Sequence, residues 1–484
     1  MIKFSKKWLR DRIYACWTGK NIGGTLGAPY EMRTEINDIS GFATEAGEPL
    51  PNDDLDLQLV WLRAVDQLGP NAVNSKVLGE YWTSFITPHW SEYGVSKSNM
   101  REGFLPPLSG HMFNEEWRNS NGAWIRTEIW SCLYPGNVEK AIHFAYEDAC
   151  VDHGLNEGTY AAIFVAAMES SAFVIQDSRK LLEIGLSKIP EDCRVARSVK
   201  IVIDAYDNGT NWKETRTMLV EDSADLGWFQ APANIGFVVI GLLYGENDFK
   251  KSLILAVNCG DDTDCTAATL GSLMGIMHGM EGIPDDWCAH IGDKIKTICI
   301  TEMYGRFPRT CTELTDAVMN LLPVTMRTDN DSLLYGDIRY EIGDENDFSG
   351  VDDEKFKGRG FTERLDKRSP YSFTVENVYV TALVEFYDRP VIEQNGQLKC
   401  KISLIPHTMV EQKHYNFRWF LPEGWTVRGK RHLFTPWPAQ SKDTAQTEFV
   451  ITANENVDGM NKIVAEIVCQ GRPTELFVPI NIMG

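Results

Sequence analysis

Apolar residues recur at helical spacing through residues 1–325, in segments rich in Ala, Leu, Met and Ile. Within Ala267–Met280, the residues Ala267, Gly271, Gly275 and Gly279 lie four apart. Gly19, Gly23 and Gly27 do the same in the first helix. That spacing puts each set on one helix face. A glycine inside a helix costs roughly 1 kcal/mol against alanine, so a row of them is tolerated where another helix packs very close. The pattern predicts a compact all-α domain over 1–325, with Pro29 ending the first helix. Residues 326–370 are rich in Asp, Gly, Ser and Arg without sustained periodicity, and read as a linker with local turns.

From Tyr371 the period changes to two. Apolar and polar residues alternate in Tyr371–Glu376, Val378–Phe386, Leu398–Leu404, Tyr415–Leu421, Thr447–Thr452, Ile463–Val468 and Leu476–Ile482. Seven short strands predict an all-β, immunoglobulin-like sandwich over 371–484. The expected architecture is therefore multi-domain, helical first and β-rich second.

Composition narrows the class. A length of 484 residues exceeds one ordinary domain. Apolar residues at 43% and charged residues at 24% are ordinary for globular chains, which argues against wholesale disorder or a coiled coil. The net charge of −21 argues against a general nucleic-acid binder, which needs a basic face. Residues 371–484 hold 11 Lys+Arg and 12 Asp+Glu, so nearly all the negative charge belongs to the helical part and its linker. No apolar run is long enough to span a bilayer, so no membrane partner is expected. The basic start Met1–Arg10 lacks an apolar core and cleavage site, and reads as the start of a helix. Eleven scattered cysteines without a C-x-x-C pair read as reduced, buried thiols of a cytoplasmic protein.

Two acidic clusters open apolar helical runs: Asn52-Asp53-Asp54-Leu55-Asp56 and Gly260-Asp261-Asp262-Thr263-Asp264-Cys265. Either alone is explained by capping, because Asp and Asn cap helices and carboxylates favour the positive end of the macrodipole. A cap needs one side-chain oxygen, however, and three acids crowded together repel unless protonated or neutralised. A hard divalent cation removes that penalty. Glu31 follows a helix end, where a carboxylate has no capping use, and reads either as a solvated loop acid or as part of a site.

These residues resemble the ADP-ribosylglycohydrolase family. The resemblance is carried by Gly27-Ala28-Pro29-Tyr30-Glu31, Asn52-Asp53-Asp54 and Gly260-Asp261-Asp262-Thr263-Asp264. Asn119-Ser120-Asn121-Gly122-Ala123-Trp124-Ile125-Arg126, Asp152-His153-Gly154 and Gly279–Trp287 add to it. It covers roughly residues 10–320, with the motifs in the family's order. It implies an orthogonal all-α domain binding two Mg²⁺ ions, with ligands at Asp53, Asp54, Asp262 and Asp264 and a flanking acid at Glu31. It implies hydrolysis of the bond between ribose C1″ and a leaving group, on an ADP-ribosylated protein or a ribosyl small molecule. The chain departs from the family's pattern where hydroxyl residues are usual, at Asn52, Leu55 and Cys265. Asn52 can offer a carbonyl oxygen, Leu55 nothing, and a cysteine is a poor partner for Mg²⁺. One ion and two are both consistent with this set, and Mn²⁺ is an alternative to Mg²⁺.

The expected chemistry assigns Glu31, Asp54 and Asp262 to catalysis, and Asn52, Asp53, Asp54, Asp262 and Asp264 to metal. Asn121, Gly122, Arg126 and His153 are the candidates for the remote half of the substrate. Arg126 can pair with a phosphate or with a structural acid, and His153 can contact ribose or serve the fold. Asp56 and Asp261 read as capping or outer residues. Trp61, Trp124 and Trp228 read as core, with base stacking the other use. Two other readings stand beside this one: hydrolysis of another furanoside or nucleoside-like glycoside, and a non-catalytic ligand-binding protein on the same fold.

Overall fold

The computed structural model describes residues 2–303, 305–326, 340–365, 367–407, 412–435 and 445–484. Of the expected linker over 326–370, residues 327–339 and 366 lie outside the described residues.

The first helix, α1 (Lys6–Gly27), is capped by the Ser5 hydroxyl, which accepts from the Trp8 N–H. It packs antiparallel against the Thr263–His278 helix with backbone on backbone. A Cβ at Gly19 would collide with the Gly271 carbonyl, one at Gly23 with Ala267, and one at Gly27 with Thr263. A Cβ at Gly275 would collide with Ala15. The glycine rows predicted this close approach, and its consequence is positional. The C-terminal end of α1, which leads to Glu31, lies beside the N-terminal end of the helix carrying Asp264. A third helix, α2 (Asp53–Leu68), begins with Asp53, Asp54 and Asp56 in its first turn, and the Asn52 side chain caps it.

The helical region includes a small parallel pairing that alternation did not signal. β1 (Ile2–Ser5) pairs with β2 (Tyr340–Gly343), and Ile2 and Phe4 are fully buried. Phe356, Phe361 and Leu365 also join the apolar core of the helices, and Thr362 Oγ1 donates to the Lys188 carbonyl at 2.7 Å. Residues 340–365 are therefore packed onto the helices through buried side chains.

Among the described residues, the C-terminal region forms two antiparallel sheets from nine strands. These are β3 (Ser372–Glu376), β4 (Val380–Phe386), β5 (Gln397–Pro406), β6 (His414–Phe420), β7 (Thr426–Gly429), β8 (His432–Phe434), β9 (Ala445–Thr452), β10 (Met460–Cys469) and β11 (Glu475–Met483). One sheet has the order β3-β4-β5-β9-β7 and the other β11-β10-β6-β8. Both contribute to one apolar core, with Val384, Ile402 and Phe449 from the first and Phe417, Ile467 and Val478 from the second. The short β7 and β8 carry too few alternations to be read from sequence. The helical region also feeds this core through Phe104, Leu108 and Met112, and Asn481 donates to the Gly103 carbonyl. Among the described residues, no helix is long and apolar enough to cross a membrane.

Candidate metal and substrate site

The acidic turns meet at the junction of α1, α2 and the Thr263–His278 helix. Gly260 (φ +81°) and Asp261 (φ +69°) both adopt left-handed backbone, which turns the chain sharply into that helix. Asp261 is tied to the strip after Glu31: its N–H donates to the Arg33 carbonyl at 2.6 Å, and its carbonyl accepts from the Met32 N–H at 3.0 Å. Its side chain accepts from the Phe229 N–H at 2.8 Å, so Asp261 is structural. These bonds bring Glu31 beside Asp262. Glu31, Asp262 and Asp264 each offer an oxygen within 4.8 Å of the others. Asp54, Asp264 and Cys265 form a second such group.

Each acid is held differently. Tyr93 OH donates to Asp53 Oδ2 at 2.8 Å. Lys20 Nζ lies 3.5 Å from Asp54 Oδ2 and 2.7 Å from Glu128 Oε1, all three groups being buried. The Cys265 thiol donates to Asp54 Oδ1 at 3.5 Å. Asn121 Nδ2 donates to Asp262 Oδ2 at 2.7 Å. Asp262 Oδ1 and Asp264 Oδ1 are buried with no partner. Buried acceptors are normally satisfied, so two orphaned carboxylate oxygens mark a place where a ligand is expected.

The electrostatics agree. Burial, reinforced by the charge of Glu31, pushes the Asp262 carboxyl up to about 7. Burial and the charges of Asp262, Glu31, Asp54 and Asp53 push Asp264 well above the ordinary carboxylate range. Asp54 is raised by burial against the opposing pull of Lys20, and Glu31 by burial and then Asp53. The donor set is mostly carboxylate oxygen with two oxygens free, which fits a hard divalent cation. Such an ion favours the charged forms that burial opposes.

The other residues expected at the site are buried among polar partners. Asn52 uses its carbonyl oxygen to cap α2, accepting from the Asp54 N–H at 2.7 Å. Arg126 is fully buried and faces acids: Nε donates to Asp148 Oδ1 at 2.8 Å and Nη2 to Asp152 Oδ1 at 2.7 Å. It also donates to the Gly122 carbonyl. His153 Nδ1 lies 2.9 Å from Asp152 Oδ1, and its Nε2 is 3.0 Å from Ser120 Oγ. Asn121 and Gly122 are buried as well. An Arg in an acidic helical interior pairs with the nearest buried carboxylates. Trp61 and Trp124 are core, whereas Trp228 is 38% exposed. Asp56 accepts from the Ile298 and Cys299 N–H groups at 2.6 Å each.

Three contributors were not singled out from sequence: Lys20, Tyr93 and Trp90. Lys20 carries a signal, as a lone charge between Gly19 and Gly23 inside an apolar helix. Trp90 is 53% exposed and stacks on Tyr93 with ring centroids 6.5 Å apart. Tyr93 and Trp90 lie in an unremarkable polar stretch, and only the fold brings Tyr93 to Asp53.

Comparison with known proteins supplies the family. Residues 5–321 match the family model described as ADP-ribosylglycohydrolase. The chain is 40% identical over 288 residues to the ADP-ribosylarginine hydrolase Tri1 of Pseudomonas putida (strain GB-1), covering 57% of this chain and 73% of that protein. A 45-residue stretch is 38% identical to ADP-ribosylarginine hydrolase Tri1 of Serratia proteamaculans (strain 568), covering 9% of this chain and 12% of that protein. Among solved structures, the solution NMR structure of a lipoprotein from Bacteroides thetaiotaomicron aligns over 23% of this chain and 84% of its own. Its TM-score of 0.16 at 11% identity carries no argument.

Proposed function

The chain belongs to the ADP-ribosylglycohydrolase family, and from that premise we propose that it hydrolyses the bond joining ribose C1″ of an ADP-ribosyl group to a protein side chain, arginine first among them. The observation that carries the reading is the convergence of Glu31, Asp54, Asp262 and Asp264 with two buried carboxylate oxygens left unpartnered. The arginine linkage is taken from the name of the Pseudomonas relative.

Asp53, Asp54, Asp262 and Asp264 would hold the cation, with Glu31 at their edge and Asn52, whose oxygen also caps α2, beside them. Bound there, Mg²⁺ or Mn²⁺ supplies positive charge that orients vicinal ribose hydroxyls and makes an acidic cleft compatible with a diphosphate. Tyr93 and Asn121 fix the carboxylates of Asp53 and Asp262 by single hydrogen bonds. Glu31 is exposed at the mouth and takes the proton of the water that attacks the anomeric carbon. The sugar passes through an oxocarbenium-like transition state, which the surrounding carboxylates favour electrostatically. The exposed rings of Trp90 and Trp228 offer faces for the adenine. We read the β region, 371–484, as an immunoglobulin-like sandwich appended to a catalytic unit of residues 1–325 through 326–370, and the protein as cytoplasmic.

The test is release of ADP-ribose from an arginine-modified peptide, followed by mass spectrometry with and without chelator. Metal-dependent release supports the reading. Cleavage of simple furanosides or nucleosides with no action on the modified peptide moves the chain to the broader glycosidase reading. Absence of any hydrolysis with ADP-ribose still bound leaves only a ligand-binding role.

A further inference from the structure

We propose that Asp54, Asp264 and Cys265 form a second cation site that takes a thiophilic divalent metal of the Zn²⁺ class, beside the oxygen-only set of Glu31, Asp262 and Asp264. The inference rests on the reading of the cleft as a cation site, and its test keeps the two separable.

Three ligand atoms, one from each of Asp54, Asp264 and Cys265, lie within 4.8 Å of one another, and all three residues are buried. Among the described residues, this is the one metal-capable group that includes a cysteine. Asp264 is shared by both groups, is 7% exposed, and keeps Oδ1 without a partner. Lys20 sits 3.5 Å from Asp54 Oδ2, while Oδ1 of the same carboxylate faces the Cys265 thiol at 3.5 Å. The ammonium thus holds the carboxylate with one oxygen turned toward sulfur. Leu55, the next residue of α2, offers no donor that could complete a hard-ion shell here.

Ligand chemistry then separates the two groups. Mg²⁺ takes oxygen and avoids thiolate, whereas Zn²⁺ binds thiolate and carboxylate together. When the metal binds, the sulfur–hydrogen bond breaks, sulfur donates its electron pair to the ion, and the proton leaves to solvent. No oxidant or reductant is involved.

The full chain is freed of metal and titrated with Cd²⁺, whose bond to thiolate gives an ultraviolet charge-transfer band. Zn²⁺ and Mg²⁺ are titrated separately by calorimetry. The expected result is a band in the wild-type protein that is lost in Cys265→Ser and in Cys265→Thr. Zn²⁺ affinity should fall about 10-fold or more in Cys265→Ser, with Mg²⁺ affinity held. A band that survives both substitutions overturns the inference, as does a wild-type protein that binds Mg²⁺ and shows no band. Those outcomes leave the hydrolase reading standing. A chain that shows the cysteine-dependent band yet hydrolyses no ADP-ribosyl bond supports the site and overturns the proposed function instead.

Discussion

The carboxylates of Asp262 and Asp264 and those of Asp148 and Asp152 are equally interior, but they are satisfied in opposite ways. Asp148 and Asp152 share Arg126, and Asp152 also faces His153. Against burial, Arg126 and His153 hold Asp152 below its ordinary value. Asp264 has no such cation beside it, and burial and neighbouring acids both push it up. Asp148 and Asp152 lie on the Val138–His153 helix, whereas Asp262 and Asp264 open the Thr263–His278 helix. One closes on itself and serves the fold, while the other stays electrostatically incomplete. Incompleteness, more than acidity, is what points to a ligand.

Substitution should separate the clusters sharply. Asp262→Ala is expected to abolish Mg²⁺ binding by calorimetry, and Glu31→Gln to lower kcat by roughly 10²–10⁴-fold. Glu31→Gln should not lower the thermal midpoint of the metal-free protein, because it removes a charge that its neighbours repel, and Asp262→Ala should lower it little, because relieved repulsion offsets the lost bond from Asn121. A large drop in that midpoint for Asp262→Ala would make the cleft a structural cluster like the other. Next in size, Arg126→Met is expected to destabilise the fold by roughly 3–5 kcal/mol, since it strands two buried acids. Denaturant unfolding measures this, and Mg²⁺ affinity of whatever folds should stay near the wild-type value.

What was legible in the sequence follows the same division. The glycine rows identified a helix pair in backbone contact, because Gly19, Gly23 and Gly27 make sense only against another backbone. The clustered Asp53–Asp54 and Asp262–Asp264 were legible because three acids exceed what a cap needs. Arg126 and His153 were not, since a buried ion pair and a phosphate contact use the same residue types and only burial distinguishes them. Tyr93 reaches Asp53 through tertiary packing of the Ser91–Arg101 helix, which no local pattern encodes, and Trp90 stacks on Tyr93. The β1–β2 pairing was missed for a related reason: its partners are more than 330 residues apart, and four-residue strands carry almost no alternation.

The acid Glu92, which borders the Arg126 cluster and keeps Oε2 without a partner, offers a finer test. It lies with Asp152 and His153, and burial pushes its carboxyl from 4.5 up to about 7. A raised carboxyl keeps its proton in the folded state while the unfolded chain loses it. Its contribution is therefore fully present below about 4.5 and is lost as pH rises through about 7. Stability should fall across that window by up to roughly 3 kcal/mol from this group. Glu92→Gln keeps the shape without the titration and should flatten the slope in denaturant melts run from pH 5 to 7.5. An unaltered slope would assign the pH dependence to other groups.

The smallest effect is expected at the rim of the open cluster. Trp90 is half exposed and touches Tyr93, whose hydroxyl holds Asp53. If its ring stacks on the adenine, Trp90→Ala loses about 1 kcal/mol of binding, equivalent to a KM roughly 5-fold higher. The reacting sugar is untouched by that ring, so kcat should hold, and little buried surface is lost, so the thermal midpoint should hold as well. Trp90→Phe keeps an aromatic face and should restore most of the KM. A fall in kcat with KM unchanged would instead mean that Trp90 acts through Tyr93 on Asp53, making it a positioning residue for the acids and not part of the substrate's bed.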